Sequence, residues 1–478
     1  MLPSQPDGMM TLGTVRGKEA HLTYDPEDDG GSLNIQVSGS EDEIISNRSI
    51  IAVITDHKRG EEGNESIQKI LVLSSVRSSI PDSPLKDYRF EEIHTTSLPQ
   101  ELVDANLVSP RIASLSTRSD SVLLYVVVSI GSGTGQAQQY FDNVVKPAFT
   151  ASGIHEYGYY VHTTYSSTSI SEFTKTLILP RANEGRHQTI LLLSGDGGVA
   201  DTLNVLLSSS RSPKYAKPVL GLVAMGTGNA LANSTGLNRD LTRGLRHFYR
   251  GQPHPLPTFT ATFSPGSELL VDESRSAEPL GESGAVYGAV VCSWALHASL
   301  VADSDTTAYR KHGTARFQMA AKELLAPSDG SAPHTYKGKI TLTKRNAIGE
   351  QIHEVLESRE YMYLLATLVS NLEEKLIISP GSKPLDGELR LLRFPPVSPP
   401  EVLKILGLAF QGGRHVEDQA VGYDVIEGMR INFDEPDGRW RRICVDGKII
   451  RVGEGGWVEL KKNSSAADIL DVVADLDS

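Results

Sequence analysis

The stretches 194–198 (SGDGG) and 225–229 (MGTGN) decide the fold predicted for this chain. Each follows a short, wholly apolar run, and each opens into a segment with helical periodicity. A strand, a glycine turn and a helix in succession leave backbone N–H groups free at the turn and at the N-terminus of the helix. Such groups can bind an anion. A third glycine-rich loop, residues 131–135, lies upstream. Three such loops predict a nucleoside triphosphate as the ligand.

The composition of the chain excludes several classes of protein. The chain has 478 residues, 39% of them hydrophobic and 22% charged, with a formal net charge of −13. This length allows two or three domains, and the negative charge argues against nucleic-acid binding. Two cysteines and 13 histidines show neither a disulfide framework nor metal-site spacing. Without a signal peptide or a bilayer-spanning apolar segment, we expect a cytoplasmic protein.

Four parts follow one another along the chain. Residues 1–118, with short alternating stretches between acidic and glycine-rich turns, predict a small β-rich domain. It is either an interaction or membrane-adaptor module or a structural appendage. Residues 119–255 predict a doubly wound α/β lobe, because their apolar runs are typical of parallel strands buried on both faces. Residues 256–460 are strand-rich and predict a β-sandwich, and residues 461–478 form an acidic tail for which we expect a short helix.

Asp196 lies between glycines at the end of a predicted strand. There its carboxylate would face a bound nucleotide. It could remove a proton from a substrate hydroxyl or hold Mg²⁺ through water. Alternatively, Asp196 has a structural role and accepts hydrogen bonds from backbone N–H groups of its own turn. We predict Asp196 to be catalytic.

These loops resemble the diacylglycerol-kinase catalytic domain superfamily, which includes sphingosine and ceramide kinases and, more distantly, NAD kinase. Residues 194–198 are similar to its SGDG loop, and Asp201 and Asn204 take the acidic and asparagine places that follow. Residues 226–232 (GTGNALA) are similar to its GSGNALA loop and favour the sphingosine-kinase branch. Residues 129–137 resemble its NPxSGxGxA loop, although the Asn-Pro pair is missing.

Further matches follow in the predicted sandwich. Residues 293–298 (SWALHA) resemble the family's SWGFIAD segment. Residues 309–317 are similar to its YRxLGxxRF stretch, whose two arginines, here Arg310 and Arg316, reach the ATP phosphates in the family.

Two late motifs complete the resemblance. Residues 384–389 resemble the family's PxDGxL motif, and residues 445–448 (VDGK) resemble its terminal VDGE. The aspartate of that last motif, here Asp446, lies near the nucleotide in the family. Lys448 stands where that motif has its glutamate.

The resemblance covers roughly residues 121–451. It implies an α/β nucleotide lobe, a β-sandwich lobe that holds lipid, and ATP in the cleft between them. The implied reaction is transfer of a phosphoryl group from Mg²⁺·ATP to a lipid hydroxyl, with Asp196 as the general base. The residues expected to bind the nucleotide are Ser132, Gly133, Thr134, Gly135, Thr163, Gly195, Gly197, Gly198, Gly226, Thr227, Gly228, Asn229, Arg310, Arg316, Asp446 and Gly447.

The resemblance leaves the lipid class open between a sphingoid base and diacylglycerol or ceramide. Sphingosine kinases carry an aspartate after the SWGFIA segment, where this chain has Ser299, with Asp303 and Asp305 a little further on. We expect Ser299 and Asp303 to contact the lipid. A serine cannot neutralise an ammonium group, so Ser299 favours a neutral lipid.

The expected partners follow from a lipid substrate. We expect transient association with a membrane surface, no nucleic acid and no transmembrane segment, and a homodimer is left open. Two alternative functions also remain: a kinase of a soluble substrate, related to NAD kinase, and a non-catalytic nucleotide-binding scaffold.

Overall fold

The computed structural model describes residues 11–26, 31–37, 39, 42–60, 63–76, 87–116, 122–313, 315–464 and 469–476. The predicted boundary between residues 118 and 119 lies outside these ranges. Within them the chain forms four β-sheets, one in an N-terminal unit, one in an α/β lobe and two in a C-terminal lobe.

The N-terminal unit is an antiparallel sheet with strand order β4-β3-β2-β1-β7-β6-β5. The strands are β1 (Thr11–Val15), β2 (Lys18–Asp25), β3 (Ser32–Val37), β4 (Glu43–Ser46), β5 (Ile50–Gly60), β6 (Gly63–Val76) and β7 (Asp87–Thr95), and helices α1 (Gln100–Asn106) and α2 (Pro110–Ser116) follow. Alternating burial along β2 shows why the pattern forms a sheet with one buried face.

The N-terminal unit shares a hydrophobic core with the α/β lobe. Leu71 and Leu73 of β6 pack in one cluster with Tyr140 and Phe149. The ring of Tyr88 in β7 packs edge-to-face against the ring of Tyr140, with centroids 5.2 Å apart. The unit is therefore packed against the α/β lobe and is not a separate body.

The α/β lobe has a six-stranded sheet in the order β12-β28-β11-β10-β8-β9. The strands are β8 (Val122–Val128), β9 (Tyr159–Thr163), β10 (His187–Ser194), β11 (Val219–Ala224), β12 (Gln252–Pro255) and β28 (Asp471–Ala474). All are parallel except β12. The helices are α3 (Ala137–Tyr140), α4 (Lys146–Ala151), α5 (Ser169–Phe173), α6 (Leu179–Asn183), α7 (Asp196–Ser208), α8 (Ala230–Ser234) and α9 (Leu245–Arg250).

Strand β28 corrects a prediction. The sequence predicts an acidic tail with a short helix beyond residue 461, but residues 471–474 form a strand between β11 and β12. Val472 and Val473 are buried there. This pairing joins segments some 250 residues apart, so no local sequence pattern predicts it.

The C-terminal lobe is a β-sandwich, as predicted. One sheet has the order β16-β13-β27-β24-β18-β19, with β20 on β18, and the other has the order β15-β14-β26-β25-β17-β21-β22-β23. The first contains β13 (Phe259–Phe263), β16 (Ala285–Gly288), β18 (Tyr336–Arg345), β19 (Gln351–Val355), β20 (Glu360–Tyr361), β24 (Gly428–Phe433) and β27 (Trp457–Lys462). The second contains β14 (Glu268–Val271), β15 (Ser276–Pro279), β17 (Val291–Ala295), β21 (Tyr363–Thr367), β22 (Leu389–Phe394), β23 (Gly422–Ile426), β25 (Arg442–Val445) and β26 (Lys448–Arg451).

In the described residues, four α-helices accompany the sandwich. They are α10 (Leu296–Ser304), α11 (Thr307–Arg310), α12 (Ala315–Leu325) and α13 (Pro399–Ala409). Side chains of α10, α12 and α13 share a hydrophobic cluster with the α/β lobe, which joins the two lobes. None of the helices in the described ranges is long and apolar enough to cross a membrane.

Candidate active site

A cavity of about 1450 Å³ lies between the α/β lobe and the sandwich. The α/β lobe lines it with the loops that follow β8, β10 and β11, where ligands of parallel sheets bind. The C-terminal lobe lines it with α10, α12, α13 and the turn between β25 and β26.

The three glycine loops pack against one another too closely for side chains. A Cβ on Gly226 would lie 2.6 Å from the Cα of Gly195, and a Cβ on Gly133 would lie 2.2 Å from the carbonyl oxygen of Met225. Asn229, in a left-handed conformation, accepts a hydrogen bond from the Gly226 N–H at 2.8 Å and donates one to its carbonyl at 2.7 Å. Glycine is therefore required for the loops to meet.

The first loop contributes less to the cavity than predicted. Ser132 lines the cavity. The Ser132 hydroxyl lies 3.1 Å from the Ser194 hydroxyl, and this hydrogen bond connects the first loop to the second. The predicted nucleotide contacts that do not line the cavity are Gly133, Thr134, Gly135 and Thr163. The next residue, Thr164, lines the cavity in place of Thr163, together with the exposed Tyr165.

Asp196 begins α7 and lines the cavity. Its two carboxylate oxygens accept hydrogen bonds from the N–H groups of Ala230 at 2.6 Å and Leu231 at 3.1 Å, at the start of α8. Burial raises the pKa of Asp196, and these two hydrogen bonds oppose the rise. The carboxylate thus holds the second and third loops together and still faces the cavity.

Asp446 brings a second carboxylate from the other lobe. It occupies a two-residue turn between β25 and β26 with a φ of 46°, followed by Gly447 at 88°, as in a type I′ hairpin. Its carboxylate accepts hydrogen bonds from the N–H groups of Ala289 at 2.6 Å, Val290 at 3.1 Å and Val291 at 2.7 Å. Burial, together with the charge of Asp196, raises the pKa of Asp446 to about 7.

Arg310 and Arg316 both line the cavity, and Asp305 holds them. An Asp305 oxygen lies 2.9 Å from Nη2 of Arg310, and the other lies 3.2 Å from Nη1 of Arg316. Burial alone would raise the pKa of Asp305, but the pairing with Arg310 and Arg316 outweighs it and lowers the pKa. The Nε of Arg316 is buried without a hydrogen-bond partner in the described part of the chain.

The predicted lipid contacts, Ser299 and Asp303, do not line the cavity. Ser299 is buried and accepts a hydrogen bond from the Tyr336 hydroxyl at 2.8 Å. Asp303 pairs with Arg442 at 2.7 Å and with Arg439 at 3.2 Å. These contacts lie within the C-terminal lobe, so the prediction for both residues is corrected.

Helical periodicity explains the correction. The residues of α10 that line the cavity are Leu296, His297, Leu300 and Val301, which lie on one face of the helix. Ser299 and Asp303 lie on another face. His297 was missed by the sequence analysis, although its spacing from Leu300 and Val301 could have revealed it.

Helix α7 connects the two lobes through the residues predicted to follow the second loop. Asp201 pairs with Lys448, with Oδ1 and Nζ 2.5 Å apart. Asn204 exchanges two hydrogen bonds with the backbone of Tyr287, at 2.8 and 2.9 Å. Lys448 therefore neutralises Asp201 across the cleft.

The carboxylates fit a nucleotide-bound Mg²⁺ better than an all-protein metal site. In the described ranges, no group of three or more His, Cys, Asp or Glu side chains is arranged to hold a metal ion. Mg²⁺ in nucleotide sites is usually held by one or two carboxylates together with phosphate oxygens. Asp196 and Asp446 supply such oxygens in the cavity lining.

The chain is similar to several known proteins. Residues 123–261 match the family model of the diacylglycerol kinase catalytic domain. Sphingosine kinase 2 of Arabidopsis thaliana is 23% identical over 389 residues, which cover 74% of each chain. Sphingosine kinase B of Dictyostelium discoideum is 37% identical over 76 residues, 16% of this chain and 10% of that protein.

A solved structure shows the same fold. It is that of a Bacillus anthracis protein provisionally assigned as a diacylglycerol kinase, with a TM-score of 0.50 and 13% identity. The match covers 75% of this chain and 99% of the other. Residues 123–261 therefore resemble a diacylglycerol kinase catalytic domain, and the chain as a whole is similar to a plant sphingosine kinase.

Proposed function

We propose that the protein is an ATP-dependent lipid kinase that transfers the γ-phosphoryl group to a primary hydroxyl of a lipid. The observation that carries this proposal is one cavity that combines the glycine loops and the carboxylates of Asp196 and Asp446 with an apolar wall. At about 1450 Å³, it exceeds the roughly 300–1,000 Å³ of common ligand pockets, which leaves room for two substrates. The apolar wall includes Leu296, Leu300, Phe317, Leu325, Leu372, Leu376, Ile378, Leu403, Leu406 and Phe410.

The proposed reaction depends on positioning and charge. The glycine loops and the N-terminus of α7 would bind phosphate oxygens through backbone N–H groups. Arg310 and Arg316 would neutralise charge that develops on the transferred group. Mg²⁺, when bound, would neutralise phosphate charge beside Asp196 and Asp446.

Asp196 is proposed to accept the proton of the lipid hydroxyl. The hydroxyl oxygen then bonds to the γ-phosphorus, while the bond between the γ-phosphorus and the bridging oxygen of ADP breaks. Each Asp196 oxygen accepts one backbone hydrogen bond, which leaves a second lone pair on each oxygen for the substrate. Asp446 also lines the cavity, and its pKa of about 7 suits proton transfer at neutral pH.

Transient membrane association is part of the proposal. Leu403 of α13 and Phe410, which directly follows this helix, line the cavity although they are 58% and 49% exposed. An apolar cavity edge that is open to solvent supports entry of a lipid from a membrane surface.

The test is an assay of the purified protein with labelled ATP, a panel of sphingosine, ceramide and diacylglycerol, and NAD. We expect a lipid product, and Asp196→Asn should lower kcat by at least about 10²-fold. Asp142→Asn, at a hydrogen-bonded but exposed site, is the matched control and should leave kcat unchanged. Phosphorylation of NAD alone would establish the soluble-substrate alternative, and ATP binding without any product would establish the scaffold.

A further inference from the structure

His297 places an unused hydrogen-bonding group on the apolar face of α10. Its Nδ1 lies 2.7 Å from the hydroxyl of Ser293, and its ring stands edge-on to Tyr363, with centroids 5.8 Å apart. These contacts fix the plane of the imidazole. In the described part of the chain, Nε2 has no hydrogen-bond partner, and the residue lines the cavity.

His297 lines the same cavity as the carboxylates and the apolar wall. On one side, Ser293 of β17 is directly opposite Cys444 of β25, two residues before Asp446. On the other side, His297 is followed along the same face of α10 by Leu300 and Val301. A lipid whose hydroxyl reaches the carboxylates and whose chain lies on the apolar wall would share the cavity with this ring.

The imidazole is neutral, because burial lowers the pKa of His297 to about 4. A neutral ring presents one hydrogen bond at Nε2, as donor or acceptor according to its tautomer. The Ser293 hydroxyl can donate to Nδ1 or accept from it, so it supports both tautomers.

We propose that Nε2 of His297 binds the polar group next to the reacting hydroxyl of the lipid. The acceptors are then long-chain alcohols with an amine, amide, ester or second hydroxyl beside that hydroxyl, and plain long-chain alcohols are poor substrates. This inference rests on the proposed lipid kinase function. His297 is a specificity-determining contact, and Ser293 is a positioning residue that acts through it.

The experiment compares kcat/KM for the best lipid of the panel with that for hexadecanol in mixed micelles. His297→Leu should raise the KM for the lipid about tenfold and reduce the preference over hexadecanol by a similar factor, with the KM for ATP unchanged. His297→Gln should restore most of the preference, because its amide can hydrogen-bond near the position of Nε2. Leu300→Val, on the same face, is the control and should weaken both acceptors equally.

Three outcomes would overturn the inference. If the wild-type protein phosphorylates the lipid and His297→Leu keeps both its preference and its lipid KM, the contact does not exist. If His297→Gln and His297→Leu lose the preference equally, His297 serves packing only. A wild-type protein that phosphorylates no lipid would refute the proposed function, and this inference with it.

Discussion

Asp446 shows at the residue scale how burial sets charge. Three backbone N–H groups favour its ionised form, yet burial and the charge of Asp196 raise its pKa to about 7. The pKa of an exposed aspartate is about 3.9. Asp446 therefore changes charge around neutral pH, where ordinary carboxylates are fully ionised.

We predict that kcat/KM rises with pH through about 7 and levels off above about 8, as Asp446 loses its proton. Because the pKa of the folded state is raised above the unfolded value, the bound proton favours folding, and this stabilisation is lost as pH rises through 7. A pH–rate profile from 5.5 to 9 with parallel melting curves checks both trends. A flat profile across this range would contradict the prediction.

Ala295 carries backbone strain at the start of α10. Its φ of 62° and ψ of −138° are a conformation that favours glycine. We predict that Ala295→Gly increases the free energy of unfolding by about 1 kcal/mol, since relief of strain exceeds the added unfolded-state entropy. Denaturant unfolding measures this, and Ala298→Gly, buried inside the same helix, is the control and should destabilise. Equal losses in both variants would show that Ala295 is unstrained.

At the scale of elements, the loops that follow β8, β10 and β11 form one layer because their glycines allow direct backbone contact. Gly195 and Gly226 face each other, and Gly133 faces the carbonyl of Met225. The layer positions the start of α7 and Asp196 together. Its geometry therefore depends on all three loops.

We predict that Gly226→Ala lowers stability by about 1–3 kcal/mol, because its Cβ would overlap the backbone of Gly195. ATP binding should weaken about tenfold or more as the loops separate. Gly131→Ala is the control for stability, since its Cβ would meet no atom within 4 Å. Calorimetric ATP titration and thermal unfolding provide the measurements, and equal stability of the two variants would refute the close-packing argument.

At the scale of the whole molecule, α7 holds the two lobes in register across the cavity. Asp201 pairs with Lys448 of the C-terminal lobe, and Asn204 binds the backbone of Tyr287. Asp196 and Asp446 line the cavity from different lobes, so the relative position of the lobes sets the distance between these two carboxylates.

We predict that Lys448→Glu lowers kcat/KM by about tenfold, because like charges would then oppose each other across the cleft. Adding Asp201→Lys should restore most of the activity, since it reverses the pair. A double-mutant cycle on kcat/KM measures the coupling. A double variant no more active than Lys448→Glu would show that the pair does not position the lobes.

Much of the fold was predictable from local patterns. Apolar runs buried on both faces predicted the parallel strands, and alternating runs predicted the β-rich unit and the sandwich, as the structure confirms. Glycine spacing predicted the loops that line the cavity, because steric demands on the backbone are local. The motifs around Asp196, Arg310 and Asp446 likewise pointed to residues that share one cavity.

Only the tertiary structure decided the rest. Strand β28 enters the α/β sheet from the far end of the chain, and the Asp201–Lys448 pair joins residues on separate lobes. The packing of α10 turned Ser299 toward Tyr336 and left His297 in the cavity. Sequence patterns determine local conformation and which residues share a face. Contacts between residues far apart in the chain decide which element packs against each face. They also decide how deeply each titratable side chain is buried, and so set its pKa.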